Sequence, residues 1–417
     1  MAASVAEGAA RANRAAQPTR GCHARRLDCG AMPDALPLTL SRRRWLAALA
    51  GASTLGATGL AAARPRQPRS ATAALPKLRL LAHGSLPTGT EFKGTLIGGL
   101  SGLSWDAATN LWYALSDDRS RHAPARVYVF RLPSPADGQP FVPQWVDVIT
   151  LRGPDGQPYP RHSVDPEALA LRLDAATGQT TLLWTSEGDI RARIPPSLQE
   201  VTLEGRWLRS FHLPRQLTDI GRLGRGPRHN DTLEGLALTP DGRHVWAAME
   251  GALNQDGDHL TPGAPPGLCR ITRLDLVSGE ADRQIAYLPE ARPFGPLMPQ
   301  GSVESGISEI LMPDPDLLWV LERAWHMTTG VSARLYEVDL TRAANTLTID
   351  TLRPRRTRAA PKRLILDLRQ SGLPHIDNFE AMAWGPTLPS GHRCLVLCTD
   401  DNFNPLQVTQ FAAFEVA

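Results

Sequence analysis

Apolar residues along this chain fall in short runs separated by turn residues, and their spacing is typical of β-strands rather than helices. Five times, an apolar strand begins at a polar residue, a turn follows, and a second strand ends at an acidic residue. The beginning and ending residues are Ser101 and Asp117, Glu167 and Glu187, Glu234 and Glu250, Glu309 and Glu322, and Glu380 and Asp400. Only the first unit lacks an acid at its beginning, so the pattern predicts five repeats of one structural unit.

Each pair of strands is expected to form a hairpin that brings its two polar ends together. Facing residues of an antiparallel hairpin have numbers with a constant sum, so the midpoint of a facing pair marks the turn. The midpoint of Glu234 and Glu250 is Gly242, which belongs to a Pro-Asp-Gly turn. The other four midpoints also fall on or beside turn residues. We therefore expect the beginning and ending residues to lie side by side, at the same end of every hairpin.

The rest of each unit predicts further strands. Third strands are predicted at residues 125–132, 269–276 and 333–340, and fourth strands at 145–151, 207–213, 283–288 and 363–368. Four short strands per unit, repeated around an axis, are typical of an all-β fold, the β-propeller. The last unit is short, and an apolar strand at residues 78–81 is predicted to complete it and close the ring. Five four-stranded blades are expected, with a sixth blade within residues 251–300 as the alternative.

The N-terminal region differs from the repeats. Residues 41–63 contain an Arg-Arg-Arg run, a moderately apolar stretch and a small-residue end, which predicts a twin-arginine export signal. A membrane anchor is the alternative, but the stretch is rich in Ala, Gly, Ser and Thr. We expect a leader over residues 1–63 with Met32 as an alternative start, a tether rich in Pro and Arg over 64–76, and one propeller domain over 77–417. The protein is then expected in the periplasm or outside the cell.

Charge and cysteines exclude several classes of function. The net charge is only +3 and part of the basic excess lies in the leader, so neither nucleic acid nor an anionic membrane is an expected partner. Cys394 and Cys398 lie four residues apart on one strand, roughly 13 Å, which is too far for a disulfide. No cysteine spacing suits zinc. We expect a monomer that acts on a small molecule.

The polar hairpin ends predict an acidic mouth. Strands nearest the axis of a propeller run along its central channel, so acids at one end of the hairpins should surround one opening. Like charges that converge raise one another's pKa, so cations, arginines or protons must neutralise them. Carboxylates are ligands that Ca²⁺ prefers. The alternative is a structural ring in which the acids pair with arginines. The candidate arginines are Arg119, Arg191, Arg193 and Arg323.

Histidines recur near the same mouth. His162, His229 and His375 each stand five residues before the first acid of a unit. Such a histidine can act as an acid or base, a ligand or a phosphate contact, and hydrogen bonding within a loop is the alternative. The chain has no Gly-x-Ser-x-Gly, dinucleotide, P-loop or His-Glu-x-x-His motif, so metal-assisted hydrolysis fits better than a serine nucleophile.

Several segments resemble one known family. They are residues 230–242, 306–311, 318–323, 377–386 and 399–405, with Thr-Asp-Asp-Asn-Phe-Asn-Pro the most specific. These segments are similar to the phytase-like domain family, called "esterase-like activity of phytase", and the resemblance covers roughly residues 95–417. It implies an exported bacterial propeller with phosphoesterase activity. Direct matches to the family pattern are Glu234, Glu250, Glu309, Glu322, Arg323, Glu380, Asp400, Asp401 and Asn402; looser ones are Asp117, Asp118 and Glu187.

Together these observations predict a Ca²⁺-dependent hydrolase of phosphoric esters. The expected metal ligands are Asp117, Glu167, Glu187, Glu250, Glu322, Asp400 and Asp401. Substrate would contact Arg119, Arg323 and Asn402, because a guanidinium suits phosphate geometry. The candidates for orienting and activating water are Glu234, Glu309, Glu380, His229 and His375. Two alternatives remain, a non-catalytic propeller that binds a ligand or partner protein, and a calcium-dependent lactonase.

Overall fold

The computed structural model describes residues 74–174, 177–257, 266–290, 303–327 and 330–417, without the side chains of residues 303 and 304. The predicted leader, and with it the export signal and its anchor alternative, lies outside the described residues, as does most of the tether. No helix in the described part of the chain is both long enough and apolar enough to cross a membrane.

The described strands form five four-stranded antiparallel sheets and one two-stranded hairpin. The chain begins with β1 (Leu78–Ser85), followed by the hairpin of β2 (Glu91–Phe92) and β3 (Thr95–Leu96). The first blade contains β4 (Leu100–Asp106), β5 (Leu111–Ser116), β6 (Arg126–Arg131) and β7 (Gln144–Thr150). The second contains β8 (Pro166–Leu173), β9 (Thr180–Ser186), β10 (Ser197–Thr202) and β11 (Trp207–Ser210), and the short helix α1 (Arg215–Thr218) follows it.

The remaining blades continue this order. The third contains β12 (Leu233–Leu238), β13 (His244–Met249), β14 (Cys269–Asp275) and β15 (Ala281–Tyr287). The fourth contains β16 (Val303–Asp314), β17 (Leu317–His326), β18 (Gly330–Asp339) and β19 (Lys362–Asp367). The fifth contains β20 (Phe379–Trp384), β21 (Arg393–Thr399) and β22 (Gln410–Val416), with short 3-10 turns at Leu340–Arg342 and Leu368–Gln370 earlier in the chain.

The predicted ring closure is confirmed. Strand β1 pairs antiparallel with β22, from Leu78 opposite Val416 to Ser85 opposite Gln410, and so supplies the fourth strand of the fifth blade. The predicted third and fourth strands also correspond to observed strands. Within residues 251–300, the described part forms the two outer strands of the third blade. The fold is therefore a five-bladed propeller, and the rest of that segment, residues 258–265 and 291–300, lies outside the described residues.

Apolar residues stabilise the ring between the blades. Five buried clusters each join two neighbouring blades, because alternate residues of every strand point to opposite faces of its sheet. The innermost strands contact one another in the order β4, β8, β12, β16 and β20, and β20 contacts β4 again. The blades are thus fixed around one axis, and the ends of the innermost strands meet near it.

A β-bulge recurs in every innermost strand. The pairing register shifts by one residue near the start of β4, β8, β12, β16 and β20. A bulge inserts an unpaired residue and turns its side chain in a new direction. The residues within the shifts include Ser101, Glu167, Glu234, Ser308 and Glu380. The repeat therefore places one polar residue per blade at the same end of the central strands.

Candidate functional site

Ten positions, two from each blade, form the polar ring around the axis. In each blade, the last residue before the bulge pairs with a residue of the second strand, and the residue after that partner belongs to the ring. In the first blade, for example, Leu100 pairs with Ser116, and Asp117 is the ring residue. The resulting pairs are Ser101 and Asp117, Glu167 and Glu187, Glu234 and Glu250, Ser308 and Arg323, and Glu380 and Asp400. Four blades agree with the sequence analysis, and the fourth blade does not.

The expected placement of Glu309 and Glu322 in the ring is wrong by one residue. Ile307 pairs with Glu322, so the bulged position is Ser308 and the next residue of the second strand is Arg323. A hairpin midpoint cannot detect this displacement, because a bulge changes the sum of facing residue numbers along the strand. The fourth blade therefore contributes a hydroxyl and a guanidinium where the sequence analysis expected two acids.

Glu309 and Glu322 both make hydrogen bonds outside the ring. Glu309 is buried and accepts hydrogen bonds from the backbone N–H groups of Leu236, at 2.8 Å, and Ile310, at 2.9 Å. Glu322 accepts hydrogen bonds from Lys362 Nζ, at 2.5 Å, and from the Tyr287 hydroxyl. These contacts connect neighbouring strands and blades, which is a structural role.

A cavity of about 1340 Å³ opens over the ring. Its lining comes from ring residues, from loops that enter or leave the innermost hairpins, and from the ends of β17 and β18. The ring residues that line it are Asp117, Glu167, Glu234, Arg323, Glu380 and Asp400. The cavity is large enough for a small organic ligand together with an ion.

The second and third blades bring five carboxylates together. In one group, ligand oxygens of Asp165, Glu167 and Glu187 all lie within 4.8 Å of one another, and Glu187, Glu234 and Glu250 form a second such group. We call these five residues the carboxylate cluster. All five are buried, and Glu187 belongs to both groups. The cluster is the densest concentration of acids that we find among the described residues.

Asp165 is the member that the sequence analysis missed. It lies two residues before Glu167, immediately before β8, and its backbone N–H donates to Ser186 Oγ at 3.0 Å. A signal existed, because an aspartate also stands shortly before the first acid of two other units, at Asp231 and Asp377. Those residues stand three positions before their glutamates rather than two, so the repeat did not align them.

Burial and mutual repulsion raise the pKa of the clustered acids. Burial, followed by the charge of Asp165, raises the pKa of Glu187 to about 8. Burial also raises the pKa of Asp165 to about 6, although the Arg119 guanidinium acts in the opposite direction. The pKa values of Glu167, Glu234 and Glu250 lie well above the ordinary value for the same first cause, burial. Without a cation, part of the cluster therefore holds protons at neutral pH.

The donor set of the cluster fits a hard divalent cation. All of its candidate ligands are carboxylate oxygens, the ligands that Ca²⁺ and Mg²⁺ prefer over sulfur or imidazole. A second observation agrees, since Asp117 Oδ1 is buried at the same mouth without a hydrogen-bond partner. The buried acidic groups can thus hold a metal ion.

Two arginines supply positive charge at the edges of the cluster. Arg323 Nη2 lies 3.3 Å from Glu250 Oε1, and Arg323 Nε lies 3.2 Å from Glu380 Oε1. Arg119 pairs with Asp165 and donates to Asn230 Oδ1 at 2.7 Å. The arginine pairing considered from the sequence is therefore present, and it neutralises only part of the ring.

Asp400 and Asp401 differ in surroundings although they are adjacent. Asp400 lines the cavity and accepts from Asn378 Nδ2, at 3.2 Å, and from the backbone N–H of Asn402, at 2.7 Å. Asp401 accepts from the backbone N–H of Gly99, at 2.9 Å, and from Thr409 Oγ1, at 3.0 Å. Asp401 thereby joins the first and fifth blades, while Asp400 belongs to the ring.

The predicted histidines separate in the structure. His162 and His375 line the cavity, and His375 Nε2 lies 3.4 Å from Asp377 Oδ2. His229 is not among the residues that line it, and its Nδ1 lies 3.7 Å from Asp189 Oδ1. Burial lowers the pKa of His229, which favours the neutral ring. Asn402 lines the cavity, as its predicted role in substrate binding requires.

Comparisons with known proteins show the family to which the chain is similar. The sequence model of a family described as "Phytase-like: Esterase-like activity of phytase" matches residues 95–403. A search of curated proteins found no match. Similar solved structures include an endo-arabinase from Bacteroides thetaiotaomicron VPI-5482, with 11% identity, 80% of this chain and 97% of that chain covered, and a TM-score of 0.42. The catalytic domain of a GH62 α-L-arabinofuranosidase from Coprinopsis cinerea shares 9% identity over 82% of this chain and 98% of that one, with a TM-score of 0.41. No conclusion about activity follows from likenesses this distant.

Proposed function

Since this chain belongs to the phytase-like family, we propose that it hydrolyses phosphoric esters at the mouth of its propeller with a divalent cation, Ca²⁺ before others. The observation that carries the proposal is the carboxylate cluster beneath a cavity large enough for an ester. Five buried carboxylates are costly unless protons, arginines or a cation neutralise them. A function that uses a cation explains why so many acids lie together there.

Glu187 is the residue on which cation binding depends most, because its oxygens belong to both groups of the cluster. Asp165 and Glu167 would complete the site on one side, and Glu250 on the other. When bound, the cation supplies Lewis-acid stabilisation of the charge that develops on the phosphoryl oxygens. Its charge would also return the clustered acids to their ionised forms.

Arg323 is positioned to bind the phosphate group of the substrate. Its guanidinium lines the cavity and is oriented by Glu250 and Glu380, so little conformational freedom remains to be lost on binding. Guanidinium groups match phosphate oxygens with two parallel hydrogen bonds. Arg119 and Asn402 line other parts of the same cavity and would orient the ester.

Glu234 is the best candidate for moving the proton of the attacking water. It lines the cavity, and burial together with the charges of Glu250 and Glu187 raises its pKa well above the ordinary value. A bound cation beside it would oppose this increase and leave the carboxylate ionised, which is the form that accepts a proton from water. His375, on the cavity wall, is placed to exchange protons with solvent.

Activity and metal binding can be tested together. We expect purified protein to contain a divalent metal and to hydrolyse p-nitrophenyl phosphate, with activity lost in EGTA and restored by added Ca²⁺. Glu234→Gln should lower kcat by about 100-fold, as expected for loss of a general base. Glu204→Gln is a matched control, because that glutamate is 71% exposed and far from the ring strands along the chain. Activity that persists in EGTA would refute the metal role.

The same assays distinguish the alternatives. Turnover of lactones without turnover of phosphate esters would favour a lactonase. No turnover of any ester, combined with a higher melting temperature in Ca²⁺, would favour a propeller that binds a ligand without catalysis. Metal analysis that finds no bound divalent ion would remove the basis of both calcium hypotheses.

We also propose that the protein is exported through the twin-arginine route. Support comes from the arginine run, the moderately apolar stretch and the small residues within residues 41–63. Sequencing the N-terminus of protein recovered from the periplasm should place cleavage before the propeller. Replacement of the arginines at 42–44 by lysine should leave the protein in the cytoplasm, whereas unchanged periplasmic recovery would refute the route.

A further inference from the structure

The fourth blade extends beyond the mouth of the ring. Strands β17 and β18 each have 10 residues, whereas the second strands of the other blades have 6 or 7. Arg323 lies at the level of the ring, so the residues of β17 that follow it continue past the mouth. Together with the first residues of β18, they form part of the cavity wall.

The extension presents apolar side chains beside the phosphate-binding arginine. Trp325 follows Arg323 by two positions on β17, so both side chains point to the same face of the sheet, about 7 Å apart along the strand. Val331 of β18 pairs directly with Trp325, which places its side chain next to the indole on that face. Trp325 and Val331 both line the cavity and are partly exposed.

The fifth blade adds apolar residues to the same cavity. Ile376, in the loop before β20, and Leu406, in the loop between β21 and β22, line the same cavity, and Leu406 is 89% exposed. We call Trp325, Val331, Ile376 and Leu406 the apolar wall. Four apolar side chains from two neighbouring blades line one cavity, three of them partly buried and Leu406 exposed, which indicates a surface that a ligand could cover.

The wall and the carboxylate cluster come from different pairs of blades. The cluster belongs to the second and third blades and the wall to the fourth and fifth, and β12 and β16 contact each other where the two pairs meet. A ligand that bridges the mouth therefore meets acids at one end and apolar side chains at the other, with Arg323 at the base of the wall.

From this arrangement we infer that the substrate is a phosphoric monoester of an apolar alcohol, with its phosphate at Arg323 and the cluster and its alkyl or aryl group against the apolar wall. The inference rests on the proposed function for the phosphate end. Charge at the ring supports a single phosphate, because Arg323 is the one arginine among the ring residues that line the cavity and the other five are acids, which repel further phosphates. A polyol would also leave the apolar wall in contact with water.

Alkyl phosphates of increasing length test the inference, because their leaving alcohols have similar acidity. With Ca²⁺ present, kcat/KM should be at least about tenfold higher for hexyl phosphate than for ethyl phosphate, since each buried methylene contributes favourably. Trp325→Ala should reduce this ratio to about twofold, and Trp325→Phe should retain most of it. Leu406→Ser gives a second variant at an exposed position, where a smaller reduction is expected. Trp207→Ala is the control, because Trp207 lies on the outermost strand of the second blade.

Binding of the non-hydrolysable ethyl- and hexylphosphonates, measured by calorimetry, separates this inference from the proposed function. Hydrolysis with equal kcat/KM for both esters would overturn the apolar wall and leave the hydrolase proposal intact. No hydrolysis, but tighter binding of hexylphosphonate that Trp325→Ala abolishes, would support the wall and reject the hydrolase. Neither hydrolysis nor a binding preference would overturn both.

Discussion

The second and third blades and the fourth blade share one backbone arrangement at the ring, but the charges of their ring residues differ. In the second and third blades, the bulged strand and its neighbour carry Glu167, Glu187, Glu234 and Glu250. In the fourth blade, the equivalent positions hold Ser308 and Arg323. The fourth blade therefore contributes a cation of its own, the guanidinium, while the acids of the second and third blades outnumber the arginines beside them and need protons or an ion from solution.

The serine of the fourth blade is integrated into the fold. Ser308 Oγ lies 3.3 Å from the carbonyl oxygen of Leu321 and 3.2 Å from that of Phe379, in the next blade. Ser101 makes a similar, longer contact of 3.4 Å with the carbonyl oxygen of Pro166. Where the ring carries a hydroxyl, the bulged position therefore joins neighbouring blades; where it carries a carboxylate, it faces the cavity.

The largest effect that we expect concerns pH. Glu187 and its neighbours have raised pKa values in the folded protein, so their contribution to stability is fully present below about pH 4.5 and is lost as pH rises through 8. In EGTA, the free energy of unfolding should fall by several kcal/mol between pH 5 and 9, as measured by urea denaturation. Added Ca²⁺ should remove most of this fall. A free energy of unfolding that does not change with pH in EGTA would mean that the acids of the second and third blades are already neutralised.

Removal of the Arg323 guanidinium should leave acids near the fourth blade without a counter-charge, as in the second and third blades. Arg323→Gln leaves Glu250 and Glu380 without their shared counter-charge, so we expect a loss of about 3 kcal/mol of unfolding free energy at pH 8 in EGTA. Arg363→Gln is a suitable control, because its partner Glu337 lies outside the ring. An equal loss in both variants would show that the ring gives Arg323 no special importance.

Loss of one shared ligand should weaken the cation site and relieve the repulsion in the same step. Glu187→Gln is expected to lower Ca²⁺ affinity at least about 100-fold, measured by calorimetry, since loss of a supporting contact alone costs up to that much. The same variant should melt at a higher temperature than the original protein in EGTA. Glu322→Gln, which removes a buried acid outside the ring, should leave Ca²⁺ affinity unchanged. Unchanged affinity in Glu187→Gln would place the ion elsewhere.

The smallest effect concerns the hydroxyls. Ser308→Ala removes two buried contacts between strands and blades and should cost about 1 kcal/mol of unfolding free energy. Ser101→Ala, with one longer contact, should cost less. Neither substitution should alter Ca²⁺ affinity. A clear decrease in the Ser308 variant would contradict the assignment of the cation site to the second and third blades.

The fold was predictable because its evidence is local and repeated. Each strand has its own apolar run and turn residues, and the missing strand of the fifth blade was visible as an unpaired run at residues 78–81. The ring was predictable in four blades for the same reason. In the fourth blade, the predicted ring residues Glu309 and Glu322 each stand one position from the ring. Only the observed pairing register of β16 and β17 reveals this displacement.

The cluster and the wall depend on distances between distant segments, which no local pattern contains. Asp165 enters the site from a loop, at a spacing that the other blades do not repeat. His229 has the same spacing to its glutamate as His162 and His375 but does not line the cavity, because the loops that carry the three histidines differ in length. Trp325 belongs to an apolar strand and becomes part of the cavity only because β17 continues past the mouth.

The propeller can be completed only when β1 pairs with β22 in the fifth blade. Arg79 of β1 hydrogen-bonds to Glu415 of β22 across 336 positions of the chain, among the longest separations that a protein of this size allows. Contacts between remote segments form late, because the entropy of bringing them together is lost before they stabilise anything. During synthesis, β1 therefore has an unpaired edge until β22 emerges, and an unpaired strand edge can pair with another chain.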